Sequence, residues 1–180
     1  MARVRRRGVW RVAHDWGSTA AERDLPFACD DFLKNPDDAL FRAIDVDAPS
    51  AVTFRWLCQL RAAPYSYDWI DNLGRTSPRA LTPGLEQLAT GQTVMTIFEL
   101  VDFEIPRHLT FRNRRGRAIF GDFACTYLVA PRSLERSRIV VKLLVRYPGL
   151  RWLAGQLFPL ADLVMMRKQL LTLKQLAEGR

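Results

Sequence analysis

"RIVVKLLVRY", residues 138–147, decides the fold. Ile139, Val141, Leu143, Val145 and Tyr147 alternate with Arg138, Lys142 and Arg146, so at the period of a strand one face is apolar and the other charged. A strand with one face to bury and one wet face implies antiparallel pairing. Directly downstream, "LADLVMMRKQLLTLKQLAE" (160–178) changes to the period of a helix. Leu163, Met166, Leu170, Leu173 and Ala177 form a stripe, with Lys168, Thr172 and Gln175 opposite and Pro159 suited to the first turn. A helix lying across the apolar face of a sheet satisfies both patterns.

Upstream, "TVMTIFELVDF" (93–103), "RHLTFRN" (107–113) and "AIFGDFACTYLV" (118–129) are further strands, and "NRRG" and "APRSLERS" are connections. "LFRAIDV" (40–46) is an earlier strand. "AVTFRWLCQL" (51–60) is a helix with Phe54, Leu57, Cys58 and Arg61 at helical spacing, Asp47 as a candidate N-cap and Pro49 in its first turn. Pro64 stops it. In "APYSYDWIDNLGR" (63–75), Ser66 can cap a second short helix and Gly74 can end it. Tyr65, Trp69 and Leu73 then share one face, while Asp68 and Asn72 share another with Asp71 nearby. Tyr65 and Trp69 are expected to pack inward as a wedge, so Trp69→Ala is expected to cost about 3–5 kcal/mol. Residues 1–39 read as an irregular lead-in, held by Trp10, Trp16 and Phe27 against a domain of residues 40–180.

A chain of 180 residues with 48% apolar content can bury a substantial core. No apolar run is long enough to span a bilayer, and the basic N-terminus has no apolar segment behind it, so a cytoplasmic protein is expected. Cys29, Cys58 and Cys125 are widely spaced and form no C-x-x-C pair, which predicts reduced, buried thiols. The net charge of +8 is local. Arg3, Arg5, Arg6, Arg7 and Arg11 form one patch, and Arg107, Arg112, Arg114, Arg115 and Arg117 another; the remainder holds 17 bases against 19 acids. Neither patch is a stripe interleaved with stacking aromatics, so no nucleic-acid partner is expected. Arg112, Arg114, Arg115 and Arg117 are expected to project from a hairpin tip into solvent, with weak contact to an anionic membrane surface as the functional alternative.

Catalytic signatures are missing from the sequence. His14 and His108 stand alone without a metal-binding spacing, and no nucleophile elbow, phosphate loop or dinucleotide fingerprint occurs, so neither metal nor cofactor is expected. Asp68 and Asp71 read as caps and solvated ions. His108, Thr110 and Arg112 share a strand face expected to be outer and wet.

The order of elements, carried by "IDVDAPSAVTFRWLCQL", "YSYDWIDNLGR", "PGLEQLATGQTV" and "LVMMRKQLLTLKQLAE", resembles the SRPBCC superfamily, which includes START, birch-pollen-allergen-like and polyketide-cyclase-like proteins. The lead-in "WGSTAAERDLPFACDDFL" is similar to that of a bacterial branch. The resemblance implies an α+β helix-grip fold: an antiparallel sheet curled around the long C-terminal helix, with two short helices closing one end. It also implies an elongated apolar cavity. Candidate lining residues are Trp56, Tyr65, Tyr67, Trp69, Met95, Ile97, Phe123, Tyr127, Met165 and Met166, with Asp68, Asp71 and Asn72 at the rim. Function is left between a carrier of an apolar small molecule or lipid, a cyclase- or dehydratase-like enzyme using the same cavity, and an interaction module with a solid core.

Overall fold

The two-residue period of the strands and the 3.6-residue period of the last helix meet in one arrangement. The computed structural model describes residues 8–72, 74–114, 121–147 and 151–179. Its lead-in contributes α1 (Gly8–His14), β1 (Asp15–Trp16), α2 (Ala20–Arg23) and α3 (Cys29–Phe32). Then come β2 (Asp38–Val46), α4 (Ser50–Cys58) running into a 3-10 turn (Gln59–Arg61), and the short α5 (Asp68–Asp71). Five strands follow: β3 (Thr93–Val94), β4 (Phe98–Glu104), β5 (His108–Asn113), β6 (Asp122–Pro131) and β7 (Ser137–Arg146). The chain closes on α6 (Arg151–Ala177). The sheet runs β1-β2-β7-β6-β5-β4-β3, antiparallel throughout except where β1 lies parallel to β2. This is a helix-grip α+β fold, an unclosed curved sheet with the long helix across it.

Register places the apolar residues in rows. Leu40, Leu143, Cys125 and Phe111 are cross-strand partners on the inner face, and Arg42, Val141, Tyr127 and Leu109 form the next row. Against these rows α6 sets Met166, Leu170 and Leu173, all buried. Full burial of such side chains stabilises by about 1.5–3 kcal/mol each. The helix begins at Arg151, not at Pro159, which lies inside it. Thr172, expected to face water, is buried and donates its hydroxyl to the Lys168 carbonyl.

The outer face is covered over β2, β6 and β7 where the lead-in crosses it, not wet as expected. Phe27, Cys29 and Leu33 from the lead-in pack on Phe41, Ala43, Ala124, Val140 and Leu144 in a second apolar cluster. Charged residues on that face are paired beneath the cover: Arg138 with Glu22 at 2.6 Å, and Lys142 with Asp30 at 2.6 Å while lying over the Phe27 ring. Thr110, on the strand face expected to be solvated, is fully buried and bonded to Thr126, whose hydroxyl accepts from the Cys29 N–H. The reason is local chemistry in the lead-in. Thr19 and Glu22 form a reciprocal capping box that nucleates α2 and aims Glu22 at Arg138.

Three boundaries differ from expectation. "TVMTIFELVDF" is two strands, broken at Met95–Ile97, where Met95 and Thr96 both take positive φ (44° and 67°). Neither Asp47 nor Ser66 caps a helix: Pro49 and Tyr67 hold those positions without side-chain cap bonds. Gly74 does take the left-handed conformation expected, with φ 78°.

Burial alone would raise the pKa of Glu22, but hydrogen bonds from Arg138 and from the Thr19 N–H outweigh it and hold the carboxyl at about 2. A carboxyl depressed from its ordinary 4.5 stabilises the fold above that pH and loses its contribution as pH falls toward 2. Urea midpoints of wild type should therefore drop through this window, and those of Glu22→Gln should start lower and drop less. Parallel curves for the two proteins would show that the pair does not hold the cover.

Candidate functional site

Between α6 and the inner rows of the sheet the packing is incomplete and leaves a cleft of about 570 Å³. Its floor is Phe111 of β5, Phe123, Cys125 and Tyr127 of β6 and Leu143 of β7, the residues that alternation turns inward. Its roof is one face of α6: Phe158, Asp162, Met165, Met166 and Gln169. The loop Met95–Ile97 and the segment holding Pro64, Ser66, Asn72 and Arg75 form the remaining wall. The positive φ values at Met95 and Thr96 are unusual for residues with side chains and are held from outside the loop. The Met95 N–H donates to the Leu60 carbonyl, and Gln169 donates to Met95 Sδ.

Besides Ser66, Asn72, Arg75 and Thr96 on that wall, the polar groups of the floor and roof form two clusters. In the first, Gln169 Nε2 donates to the Pro64 carbonyl at 2.6 Å, and Gln169 Oε1 accepts from the Tyr127 hydroxyl at 2.6 Å. In the second, Arg42, only 1% exposed, donates to Asp162 Oδ2 at 2.7 Å and to the carbonyls of Ala13 and Phe41. Burial pushes the Asp162 carboxyl up to about 6, with Arg42 opposing the rise. Burial also raises the Tyr127 hydroxyl and the Cys125 thiol well above their ordinary values. All three cysteines are buried and free. Among the described residues, no three His, Cys, Asp or Glu side chains converge to hold a metal, and no helix is long and apolar enough to cross a membrane.

The expected lining residues divide. Met95, Ile97, Phe123, Tyr127, Met165 and Met166 line the cleft together with the rim residue Asn72. Trp56 and Tyr65 do not; they are buried edge to face in the main core, because α4 packs its apolar side down. Tyr67 and Asp68 are not lining residues either, and Asp68 accepts from the Ser77 N–H and hydroxyl instead. The Asp71 side chain is outside the described residues. Trp69 corrects the wedge: α5 has a single turn, and with its start at Asp68 rather than behind a Ser66 cap Trp69 faces outward, 76% exposed. Of the tip arginines, Arg112 lies within β5 paired with Asp122 and does not project freely, whereas Arg114 is exposed, with Glu99 at 3.8 Å. Arg115 and Arg117 fall outside the described residues.

Arg42, Asp162 and Gln169 were missed. A signal existed for the first: alternation places Arg42 with Leu40, Ile44 and Val46 on the inner face, where a guanidinium needs a carboxylate partner. Asp162 and Gln169 share with Met165 a helical face beside the apolar stripe, next to its member Met166.

A curved antiparallel sheet closing on a C-terminal helix, with an apolar cleft between them, is the helix-grip fold. No family model and no curated protein matches this chain. Solved structures do. A protein of Thermobifida fusca, solved by NMR, superposes with a TM-score of 0.56 at 13% identity, over 78% of this chain and 93% of its own. BexL, a di-domain ARO/CYC protein of the BE-7585A biosynthetic pathway, gives 0.54 at 16% identity over 78% of this chain and 46% of its own. StfQ, the di-domain ARO/CYC protein of the steffimycin pathway, gives 0.53 at 10% over 79% and 51%. The chain thus spans about half of each di-domain protein, and the likeness at these identities is one of fold.

Two substitutions follow from the geometry. Asp162→Ala leaves the Arg42 cation buried without its partner and should lower unfolding free energy by about 3–5 kcal/mol; Arg42→Met with Asp162→Leu should recover most of that. Denaturant titration checks both, and a neutral Asp162→Ala would show the pair to be solvated. Trp69→Ala, in turn, should now cost less than about 0.5 kcal/mol, as exposed positions do, while Trp56→Ala costs about 3–5 kcal/mol. The same titration reads both, and equal losses would return Trp69 to the core.

Proposed function

We propose that this protein binds an apolar small molecule or lipid in the cleft between α6 and the sheet. The observation that carries the reading is the cleft itself: about 570 Å³ with Phe111, Phe123, Leu143, Met165 and Met166 on its floor and roof, and with polar side chains in two clusters and along the wall of Ser66, Asn72, Arg75 and Thr96. Burying apolar ligand surface against such a wall supplies affinity, and a few fixed polar groups supply orientation. Three methionines among the lining residues adapt to ligand shape.

A second reading is favoured by one observation. Asp162 is a buried carboxyl on the cleft wall with its pKa at about 6, near the range in which a carboxyl can both give and take a proton. A cyclase- or dehydratase-like enzyme, acting on a polyketide-type chain folded in the cleft, would use such a group. The names of the ARO/CYC neighbours agree with that reading at the level of fold.

Fluorescence of anilinonaphthalene sulfonate should rise on addition of the protein and fall when Met165→Trp fills the cleft, with affinity at least tenfold weaker and an unchanged thermal transition. Unaltered dye binding by that variant would overturn the cleft as the binding site. Mass spectrometry of a small molecule co-purified from the native host separates the two readings: a carrier returns it unchanged on incubation, and an enzyme converts it.

A further inference from the structure

The hydrogen bonds around Tyr127 and Gln169 define their proton positions, and those positions restrict the ligand. The Pro64 carbonyl has no proton to give, so the atom of Gln169 at 2.6 Å from it must be the donating Nε2. Oε1 therefore faces Tyr127, and the tyrosine must donate its one proton to that oxygen at 2.6 Å. The second amide proton is directed at Met95 Sδ, 3.3 Å away. Every proton of this cluster is thus committed, and what remains is lone pairs: those of Tyr127 Oη and the second pair of Gln169 Oε1. Met166 Sδ, 3.3 Å from the Tyr127 hydroxyl, adds another acceptor.

The second cluster has the same polarity. Asp162 takes its hydrogen bond from Arg42, and an ionised carboxylate donates none. Asp162 and Gln169 are seven residues apart on α6 and both line the cleft, so at about 1.5 Å per residue their backbone positions stand about 10 Å apart along its length, which sets the scale for the separation of the acceptor groups. Among the described residues of the α6 and sheet walls, the rest of the lining is apolar, with Met165, Met166, Phe111 and Phe123, apart from the weakly donating thiol of Cys125. Side chains that carry donors, Ser66, Asn72, Arg75 and Thr96, line the wall made by residues 64–75 and the Met95–Ile97 loop, across from the floor and roof on which the two acceptor clusters sit.

We propose that the cleft selects a rigid apolar molecule carrying a hydroxyl or amine N–H at each end, about 10 Å apart, one donating to the Tyr127–Gln169 cluster and the other to Asp162. This inference rests on the proposed binding function and deepens it by naming the ligand class. Molecules whose polar groups are only ketones, esters or ethers are disfavoured, because they bring acceptors against acceptors and leave buried lone pairs unpaired.

The test uses three probes of one shape on the full chain: biphenyl with a hydroxyl on each para carbon, its dimethyl ether, and biphenyl itself. Calorimetric titration should give the diol an affinity at least tenfold tighter than the ether, with biphenyl also weaker than the diol. The variant Tyr127→Phe/Gln169→Leu, checked for folding by its thermal transition, should retain biphenyl binding and lose most of the preference for the diol over the ether. If the ether binds as tightly as the diol to wild type, the donor requirement is wrong while the binding reading stands. If none of the three binds, the binding reading falls and this inference with it. The wild-type comparison decides the matter even where the double variant does not fold.

Discussion

A guanidinium with 1% exposure is the constraint around which this structure is organised. Arg42 points from the inner face of β2 toward α6, where burying a cation is tolerable only with partners. It finds them in three separate parts of the chain: the Ala13 carbonyl at the end of α1, the Phe41 carbonyl of its own strand, and Asp162 on α6. The Pro159 carbonyl, 3.4 Å away, adds a fourth contact. One side chain thereby ties the lead-in, the sheet and the long helix together. A polar tie is also directional in a way apolar packing is not. It defines where along β2 the helix crosses, and so which face of α6 is turned toward β5 and β6.

The cleft follows from that orientation. If the helix presented only Leu170 and Leu173, the sheet would be covered by solid packing, as it is toward the C-terminal end of α6. Over the preceding two turns the face toward the sheet is Asp162, Met165, Met166 and Gln169, whose polar members must stay near their partners instead of collapsing onto the aromatic floor. Across from them, the wall formed by Met95–Ile97 is held by the Leu60 carbonyl and by Gln169. Positive φ at two consecutive residues with side chains is a local cost of order 1–3 kcal/mol each, maintained by that surrounding framework.

Strand alternation in 138–147, the helical stripe after Pro159 and the turn signals between strands were enough to read an antiparallel sheet with a helix across it. Those patterns are set by burial, which acts at fixed periods. What could not be read was anything decided by a partner distant in sequence. Val140 and Leu144 break the charged face of β7, and their cover is Phe27 and Leu33, more than a hundred residues earlier. Helical spacing extended over 65–73 turns Trp69 inward, but the segment holds only one turn of helix and leaves Trp69 exposed. For the candidate site, Met95, Ile97, Phe123, Tyr127, Met165 and Met166 were legible as adaptable or inward-facing apolar residues. Arg42, Asp162 and Gln169 were not, since a polar residue in an apolar pattern reads as an exception until its partner is located.

The same distinction separates fold from function. Neighbours at 10–16% identity keep the curled sheet and the helix, so the shape is carried by apolar periodicity that many sequences satisfy. Ligand choice has to come from the few positions where periodicity is broken by a hydrogen-bonding group. In this chain those positions lie on two inner rows and one helical face. The row Arg42, Val141, Tyr127 and Leu109 is polar at alternate strands, and each of its polar members is answered from α6, by Asp162 and by Gln169. Two sheet-to-helix polar contacts with an apolar span between them support the helix at both ends of the gap. On the proposed binding function, specificity would be built from the same contacts that hold the cleft open, and a change in ligand preference by mutation at these four residues would carry a change in stability with it.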